Sequence, residues 1–540
     1  MKIRRIGGLT AAIAVSALAL AACSSSPSAT TTTAAASGPT TGIVSVNGSE
    51  PQNPLIPTNT NETGGGKILT LLFAGLVYYD AKGAPHNEVA DSITTTDAQT
   101  YTIKIKPGWK FTNGEAVTSK SFVDAWNYGA KLSNKQLNSY FFEGIQGFSY
   151  DADSDLTGLK IVDDSTFTVT LKQPEADFPL RLGYTAFYPL PSVAFKDMTA
   201  FGADPIGDGP YMFKNASAWE HNVKADVVPN PGYIGDRKPM NGGVSVKFYT
   251  SLDAAYQDLL ANNLDVLDAI PDSAFGVYKT DLGDRAVNQP AAIFQSFTIP
   301  QNLAHFTGAE GNLRRQAISL SIDRKTITDK IFQGTRTPAK DFTSPVIAGY
   351  NPNLTGSDVL TFDAAKAKQL WAQANAISPW SGSFTIGYNA DGGHQAWVDA
   401  VANSIKNTLG IDAQGSPYPT FKDLRTVITN HTIKGAFRTG WQADYPSLYN
   451  FLGPIYGTGA GSNDGQYSNP QVDALLKQGL SAKSVDAANK YFDQVQEILF
   501  KDLPAIPLWY QNVTGGYATT VTNVQFGWDS VPLYYQIKKA

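Results

Sequence analysis

Hydrophobic and polar positions follow two different periods along this chain. Short segments in which apolar and polar residues alternate, such as 43–46 and 101–105, predict β-strands, because successive strand side chains point to opposite faces of a sheet. Longer segments with apolar residues at helical spacing, such as 119–132 and 395–409, predict α-helices. A strand, a helix and a second strand follow one another over 243–267. This alternation predicts an α/β fold.

Two less regular segments receive local interpretations. The run 64–67, Gly-Gly-Gly-Lys, lacks the flanking residues of a phosphate-binding loop, so we interpret it as a flexible lead-in to the apolar segment that starts at Ile68. Near the C-terminus, the pattern over 518–526 predicts a terminal strand.

The length of 540 residues exceeds what one hydrophobic core usually supports, so two or three domains are expected. The net charge at neutral pH is −5, and residues 1–22 carry three basic side chains and no acidic one, so their removal would change it to −5 − 3 = −8. An acidic chain without a basic run is a poor candidate for binding nucleic acid.

The first 23 residues have the organisation of an export signal. A basic start is followed by an apolar run at 7–20, which is too short to span a bilayer as a lasting helix, and then by Leu-Ala-Ala-Cys ending at Cys23. We interpret 1–22 as a lipoprotein signal peptide and Cys23, the single cysteine of the chain, as the acylated residue that anchors the protein to a membrane. Residues 23–41 are rich in Ser, Thr, Ala and Pro, which predicts a disordered tether.

One segment late in the chain concentrates the groups that could hold a zwitterion. Within 438–446 lie the guanidinium of Arg438, the carboxylate of Asp444 and the rings of Trp441 and Tyr445. Because Pro446 ends a strand-like run, Asp444 is expected on the loop after a strand, where its carboxylate could accept strong hydrogen bonds from an ammonium group. Asp444 as a turn cap with Trp441 in the core is the alternative interpretation.

Several motifs, in a fixed order, carry a resemblance to a known family. The chain resembles the peptide-binding lipoproteins of ABC importers, which are large solute-binding proteins of the oligopeptide and dipeptide type (family 5, cluster C). The segments that carry the resemblance are 72–80, 101–114, 207–211, 314–324 and 440–446 followed by 467–473.

The resemblance implies a two-lobed, type II periplasmic-binding-protein-like fold with an extra subdomain inserted in the first lobe. The lobes would be hinged near Gln289 and Ala505. The implied division is 42–70, 201–288 and 506–540 for the core of the first lobe, 71–200 for its inserted subdomain and 289–505 for the second lobe.

The resemblance also implies site residues. Asp444 would receive the α-ammonium of a peptide, Trp441 and Tyr445 would supply adjacent aromatic surface, and Arg438 would help to hold a peptide carboxylate. No catalytic residue, metal or cofactor is implied.

Backbone groups would complete this implied site. Those of Asn61, Glu62 and Thr63 would pair with an extended peptide like an added strand. Tyr140 would contribute to the same pocket.

The function implied by the resemblance is capture of peptides in a cleft between lobes and their delivery to the permease subunits of an ABC importer. The protein would be extracytoplasmic, monomeric and anchored to the bacterial cell membrane through Cys23. Relatives of this family also take up nickel complexes, oligosaccharides, opines and signalling molecules. A metal ligand is discounted because the five histidines are scattered without ligand spacing. A sugar ligand is not discounted, because aromatic residues such as Trp380 and Trp397 could stack on pyranose faces.

A secreted hydrolase is the remaining alternative. The sequence contains no Gly-x-Ser-x-Gly elbow and no His-Glu-x-x-His motif, and its acidic residues are spread too evenly to indicate a glycosidase pair. We therefore do not expect an enzyme.

Overall fold

The structure is a computed structural model that describes residues 38–390, 393–419 and 421–540. The predicted signal peptide, Cys23 and the tether up to residue 37 lie outside these described residues. Within them, none of the helices combines the length and the apolar character needed to cross a membrane.

Twenty strands contribute to the sheets of the described chain. In chain order they are β1 (Ile43–Gly48), β2 (Val77–Tyr79), β3 (Pro85–Asn87), β4 (Ala90–Thr94), β5 (Thr100–Ile105), β6 (Leu159–Asp163), β7 (Thr166–Thr170), β8 (Tyr211–Phe213), β9 (Trp219–Glu220), β10 (Lys224–Pro229), β11 (Gly243–Phe248), β12 (Val266–Leu267), β13 (Ala286–Thr298), β14 (Arg336–Pro338), β15 (Phe384–Asn389), β16 (Ala413–Tyr418), β17 (Ala436–Gln442), β18 (Ala505–Tyr517), β19 (Val521–Thr522) and β20 (Lys538–Lys539).

Fourteen α-helices of the described chain accompany these strands. In chain order they are α1 (Thr63–Leu72), α2 (Ser119–Ala130), α3 (Phe178–Arg181), α4 (Met198–Ala203), α5 (Leu252–Leu260), α6 (Tyr278–Leu282), α7 (Gly308–Leu320), α8 (Arg324–Lys330), α9 (Ala364–Ile377), α10 (Gln395–Leu409), α11 (Phe421–Thr429), α12 (Leu448–Tyr456), α13 (Pro470–Leu480) and α14 (Val485–Asp502).

One 12-stranded sheet runs through the described chain. Its main path has the order β16-β15-β17-β13-β18-β12-β1-β11-β10-β8, while β14 pairs with β18 and β9 with β10. The long strands β13 and β18 lie antiparallel at its centre; Gln289 is opposite Val513, and Ala505 is opposite Thr298 at the other end of the pair. The lobe boundaries near Gln289 and Ala505 stay a prediction.

The segment predicted to be an inserted subdomain contains a separate four-stranded sheet, in the order β4-β5-β7-β6. Within this sheet, β6 and β7 pair antiparallel and form a hairpin around residues 163 and 164. Helix α2 begins at Ser119, as predicted, with Thr118 as its capping residue. Its buried face includes Phe122 and Trp126, which pack in the same hydrophobic cluster as the inward side chains of β5 and β7.

Two local predictions are wrong. Residues 64–67 are not a flexible lead-in but belong to α1, because the carboxylate of Glu62 accepts a hydrogen bond from the Gly65 N–H and the apolar face that follows is buried. The segment 518–526 is not a continuous strand; two residues, Val521 and Thr522, pair with β20, while the N–H and hydroxyl of Thr519 donate to the side-chain oxygen of Asn262.

Candidate functional site

A cavity of about 320 Å³ brings together segments that are far apart in sequence. Its wall is formed mainly by 60–71 around the start of α1, by 183–188, by 442–444 after β17 and by 527–535 near the C-terminus. Concave sites of this size with aromatic walls and a few convergent polar groups are typical of small-ligand binding.

Asp444 lies on the cavity wall, two residues beyond the end of β17. The buried side chain of Asn450, on α12, fixes this position through three hydrogen bonds. Its Nδ2 donates to Asp444 Oδ2 at 2.9 Å, and its Oδ1 accepts from the Asp444 N–H at 3.0 Å and from Trp441 Nε1 at 2.9 Å. One amide therefore orients the carboxylate and holds the loop to the tryptophan.

The surroundings of Asp444 disfavour its charge. Burial raises its pKa to about 6, although the hydrogen bond from Asn450 opposes this effect. The pKa values of Tyr140 and Tyr184 are raised well above the ordinary value, first by burial and next by the negative charge of Asp444. No basic side chain of the described residues forms an ion pair with Asp444, so a cation that enters the cavity could supply the missing charge partner.

The three predicted backbone contributors line the same cavity as Asp444. Glu62 has extended backbone angles and caps α1, which begins at Thr63. Both oxygens of the Glu62 carboxylate accept from the Gly65 N–H, at 3.0 and 3.1 Å. The structure thus brings Asn61, Glu62 and Thr63 to the cavity that contains Asp444, while their pairing with a peptide stays a prediction.

Arg438 and Trp441 do not line this cavity but a second one, of about 260 Å³. Arg438 Nε donates to Asn389 Oδ1 at 2.8 Å, and its guanidinium lies 4.8 Å from the centre of the Phe421 ring. For Arg438 the separation has a simple cause, because Arg438 and Gln442 are four positions apart on β17, which corresponds to about 13 Å along a strand.

Tyr445 and Tyr140 line neither of these cavities. Tyr445 is buried, and its ring centre lies 5.6 Å from the guanidinium of Arg181, on α3. Tyr140 is half-buried, with its ring centre 4.5 Å from that of Phe141. Their proposed contacts with a ligand stay predictions.

Sequence reasoning missed the C-terminal part of the wall, in particular Asp529 and Tyr534. Gln442 Nε2 donates to the Asp529 carbonyl at 3.0 Å, and the Trp528 carbonyl accepts from the Ala292 N–H at 2.8 Å. Burial raises the pKa of Asp529 to about 6. The sequence signal that could have indicated this part of the wall is the concentration of aromatic residues around a single acidic residue within 526–535.

Both basic side chains of this wall have acidic partners within the protein. Lys67 Nζ is bound to Asp268. Arg237 makes two hydrogen bonds to the buried Glu88 carboxylate, at 2.7 and 3.0 Å, and also donates to two backbone carbonyls. The cavity therefore has little spare positive charge for an anion. Among the described residues, no group of three or more His, Cys, Asp or Glu is placed to hold a metal ion.

Comparison with known proteins extends over most of the chain. The family model described as "Bacterial extracellular solute-binding proteins, family 5 Middle" matches residues 84–463. The periplasmic murein peptide-binding protein MppA of Escherichia coli K12 is 26% identical over 472 residues, which cover 83% of this chain and 84% of MppA. The probable deoxycholate-binding periplasmic protein YgiS of the same strain is 25% identical over 497 residues, which cover 86% of this chain and 87% of YgiS.

A solved structure has the same fold. Haemophilus influenzae OppA in complex with the peptide RPPGFSPFR superimposes with a TM-score of 0.76 at 22% identity, over 92% of this chain and 99% of OppA. This likeness confirms the predicted α/β, two-lobed architecture. Because the family model covers well over half of the sequence, the chain belongs to the bacterial extracellular solute-binding proteins of family 5.

Proposed function

We propose that the protein captures peptides in the cavity next to Asp444 and delivers them to the permease subunits of an ABC importer. The observation that carries the proposal is a half-buried carboxylate, oriented by Asn450 and without a basic partner among the described residues, on the wall of a cavity large enough for a small ligand. A peptide ammonium would supply the opposite charge in a partly desolvated site, where charge-assisted hydrogen bonds are strong.

Relatives support the choice of ligand. MppA is named for murein peptide and OppA for oligopeptide, and both resemble this chain over most of their length. A peptide also offers backbone groups that residues 61–63 could meet at the start of α1.

Isothermal titration calorimetry with a tripeptide tests this proposal. We expect Asp444→Ala to weaken binding by about 2 kcal/mol or more, because the ammonium would lose its charge partner. Acetylation of the peptide N-terminus should cause a loss of similar size in the wild-type protein and little further loss in the variant.

A matched control is Asp284→Ala, which removes an exposed carboxylate outside both cavities. This variant should bind like the wild type. Unchanged affinity in Asp444→Ala, or equal binding of free and acetylated peptides by the wild type, would reject the proposed role of Asp444.

A sugar is the second candidate, because aromatic side chains such as Tyr79 and Trp528 line the cavity and could stack on pyranose faces. An anionic solute, such as the bile acid named for YgiS, fits less well because it would face the carboxylates of Asp444 and Asp529. A thermal-shift screen with a peptide pool, a sugar panel and deoxycholate separates the three classes by which of them raises the melting temperature.

The proposed location is the outer side of the cell membrane, with the monomeric protein held by acyl chains on Cys23. Metabolic labelling with radioactive palmitate tests this part. The wild type should be labelled and sediment with membranes, and Cys23→Ser should be unlabelled. Equal labelling of both proteins would contradict the assignment of Cys23.

A further inference from the structure

The cavity has a second acidic residue that the proposed function does not use. Four acidic residues line its wall, and two of them each accept from at least two N–H groups. Glu62 accepts from Gly65 and Gln52, and Asp80 accepts from Lys82 and Ala84 at 2.8 and 2.9 Å. Asp444 and Asp529 remain.

The carboxylate of Asp529 has a fixed position. The Val531 N–H donates to its Oδ1 at 3.1 Å, and its loop is tied to the end of β17 and to β13 by the hydrogen bonds of Gln442 and Ala292. The positive charge of Lys67 partly opposes the rise in the pKa of Asp529, but the Lys67 ammonium itself is bound to Asp268. No ion pair of the described structure involves Asp529, so its charge is left for another partner.

A second observation on the same wall points to a ligand. Tyr534 is only 3% exposed and lines the cavity, yet its hydroxyl has no hydrogen-bond partner in the described structure. Burial raises the pKa of Tyr534, and the charges of Asp268 and Asp529 raise it further, which places its hydroxyl in the field of both carboxylates. Buried polar groups nearly always have a partner, so a donor that enters the cavity would satisfy this hydroxyl.

The adjacent aromatic wall suits the same kind of ligand. The rings of Trp528 and Tyr79 meet edge to face, with centres 5.5 Å apart, and both residues line the cavity. Aromatic faces beside carboxylates favour cations over anions and would also cover the apolar stem of a lysine side chain.

We propose that Asp529 and Tyr534 form a second cation subsite, which gives the cavity a preference for peptides that carry a basic side chain in addition to their N-terminal ammonium. This inference rests on the proposed peptide-binding function and names the ligand class within it. The two cations of such a ligand would face Asp444 and Asp529 separately.

Calorimetry at pH 7.5 with six alanine-based tripeptides tests the inference. Three carry a single lysine at position 1, 2 or 3, and three carry norleucine, which has the same stem without the ammonium, at the corresponding position. For at least one position the lysine peptide should bind the wild type about tenfold more tightly than its norleucine partner, as expected for a charge-assisted hydrogen bond.

Two variants locate the preference. Asp529→Asn should reduce the lysine-to-norleucine ratio to about twofold or less. Tyr534→Phe should also reduce the ratio, and it should keep the melting temperature of the wild type because the hydroxyl has no partner within the described protein.

Asp80→Asn is the matched control, because it removes one charge from the same wall while its side-chain oxygen can still accept from the turn. It should preserve the ratio. Equal binding of lysine and norleucine peptides by the wild type would overturn the subsite and leave the peptide-binding function intact, whereas no binding of any tripeptide would overturn both. An equal fall of the ratio in Asp80→Asn and Asp529→Asn would also reject the subsite in favour of a general charge effect.

Discussion

The raised pKa of Asp444 should make the proposed peptide binding dependent on pH. An acidic group with a pKa of about 6 is ionised above that value and neutral below it, so the form that can hold an ammonium is lost on acidification. The α-ammonium of a peptide has a pKa of about 7.7–8.0, so the ligand stays mostly protonated up to about pH 7. Affinity for an alanine tripeptide should therefore be highest near pH 7 and fall by about tenfold for each pH unit below 6.

Calorimetry between pH 5 and pH 8 measures this profile. Asp529 titrates in the same range, so the series should be repeated in Asp529→Asn, where the fall should persist. In Asp444→Asn the acid-dependent loss should disappear. A flat profile in the wild type would show that no carboxylate of this pKa takes part in binding.

At the scale of single residues, the sequence indicated some of the side chains that line the cavity but not the residues that they contact. The position of Asp444 just after a strand was predicted correctly from Pro446. Asp529 could not be predicted, because its place on the wall depends on a contact with Gln442, 87 positions earlier in the chain. No local pattern encodes such a contact.

At the scale of elements, α1 shows how tertiary packing overrides local preference. Its first turn contains three glycines, which disfavour helix by about 1 kcal/mol each, so the sequence predicted a flexible segment. The cap supplied by Glu62 and the burial of Ile68, Leu69 and Leu72 outweigh this cost.

Two glycine substitutions near this helix should have opposite effects on stability. At Gly66 an added Cβ would meet no heavy atom within 4 Å, so Gly66→Ala should stabilise the protein by about 0.5–1 kcal/mol. At Gly207 the Cβ would lie 1.9 Å from the Leu72 carbonyl oxygen, so Gly207→Ala should destabilise it by about 2 kcal/mol or more. Urea denaturation measures both, and equal effects would contradict the packing at Gly207.

The buried cation on α3 joins two distant segments. Arg181 forms ion pairs with Glu175 at 2.8 Å and Asp177 at 3.0 Å, and Asp177 also accepts from the Ser447 hydroxyl at 3.1 Å. The rings of Tyr445 and Tyr449 each lie 5.6 Å from the Arg181 guanidinium. Tyr445 thus has a structural role that the motif around Asp444 did not predict.

Arg181→Met should lower the free energy of unfolding by about 3–5 kcal/mol, because two buried carboxylates would lose their counter-ion. Lys325→Met offers a comparison, since it removes one member of an exposed ion pair with Asp329 and should cost less than about 1 kcal/mol. Chemical denaturation followed by tryptophan fluorescence measures the difference. Similar losses in the two variants would contradict a buried role for Arg181.

At the scale of the whole molecule, the order of motifs predicted the α/β, two-lobed fold, and most elements lie where the hydrophobic periods placed them; α10 spans 395–409 as predicted. The hydrophobic periodicity could not show which strands from distant parts of the chain pair with one another. The separation of Arg438 and Trp441 from the cavity of Asp444 therefore appeared only in three dimensions.

A bound peptide should stabilise the entire protein by mass action. At a free concentration of about 100 times Kd, the gain is about 2.7 kcal/mol, provided that the unfolded chain does not bind. Differential scanning calorimetry should show a melting temperature that rises with peptide concentration in the wild type and much less in Asp444→Ala. A concentration-independent melting temperature would argue against a ligand of this class.

The central place of β18 has a consequence for how the protein is made. This strand lies between β13 and β12 in the sheet order, although in sequence it follows both of them, after all of the segment 299–504. The sheet cannot become continuous until translation has passed Tyr517, so the nascent polypeptide can form separate pieces of sheet but must wait for β18 to join them.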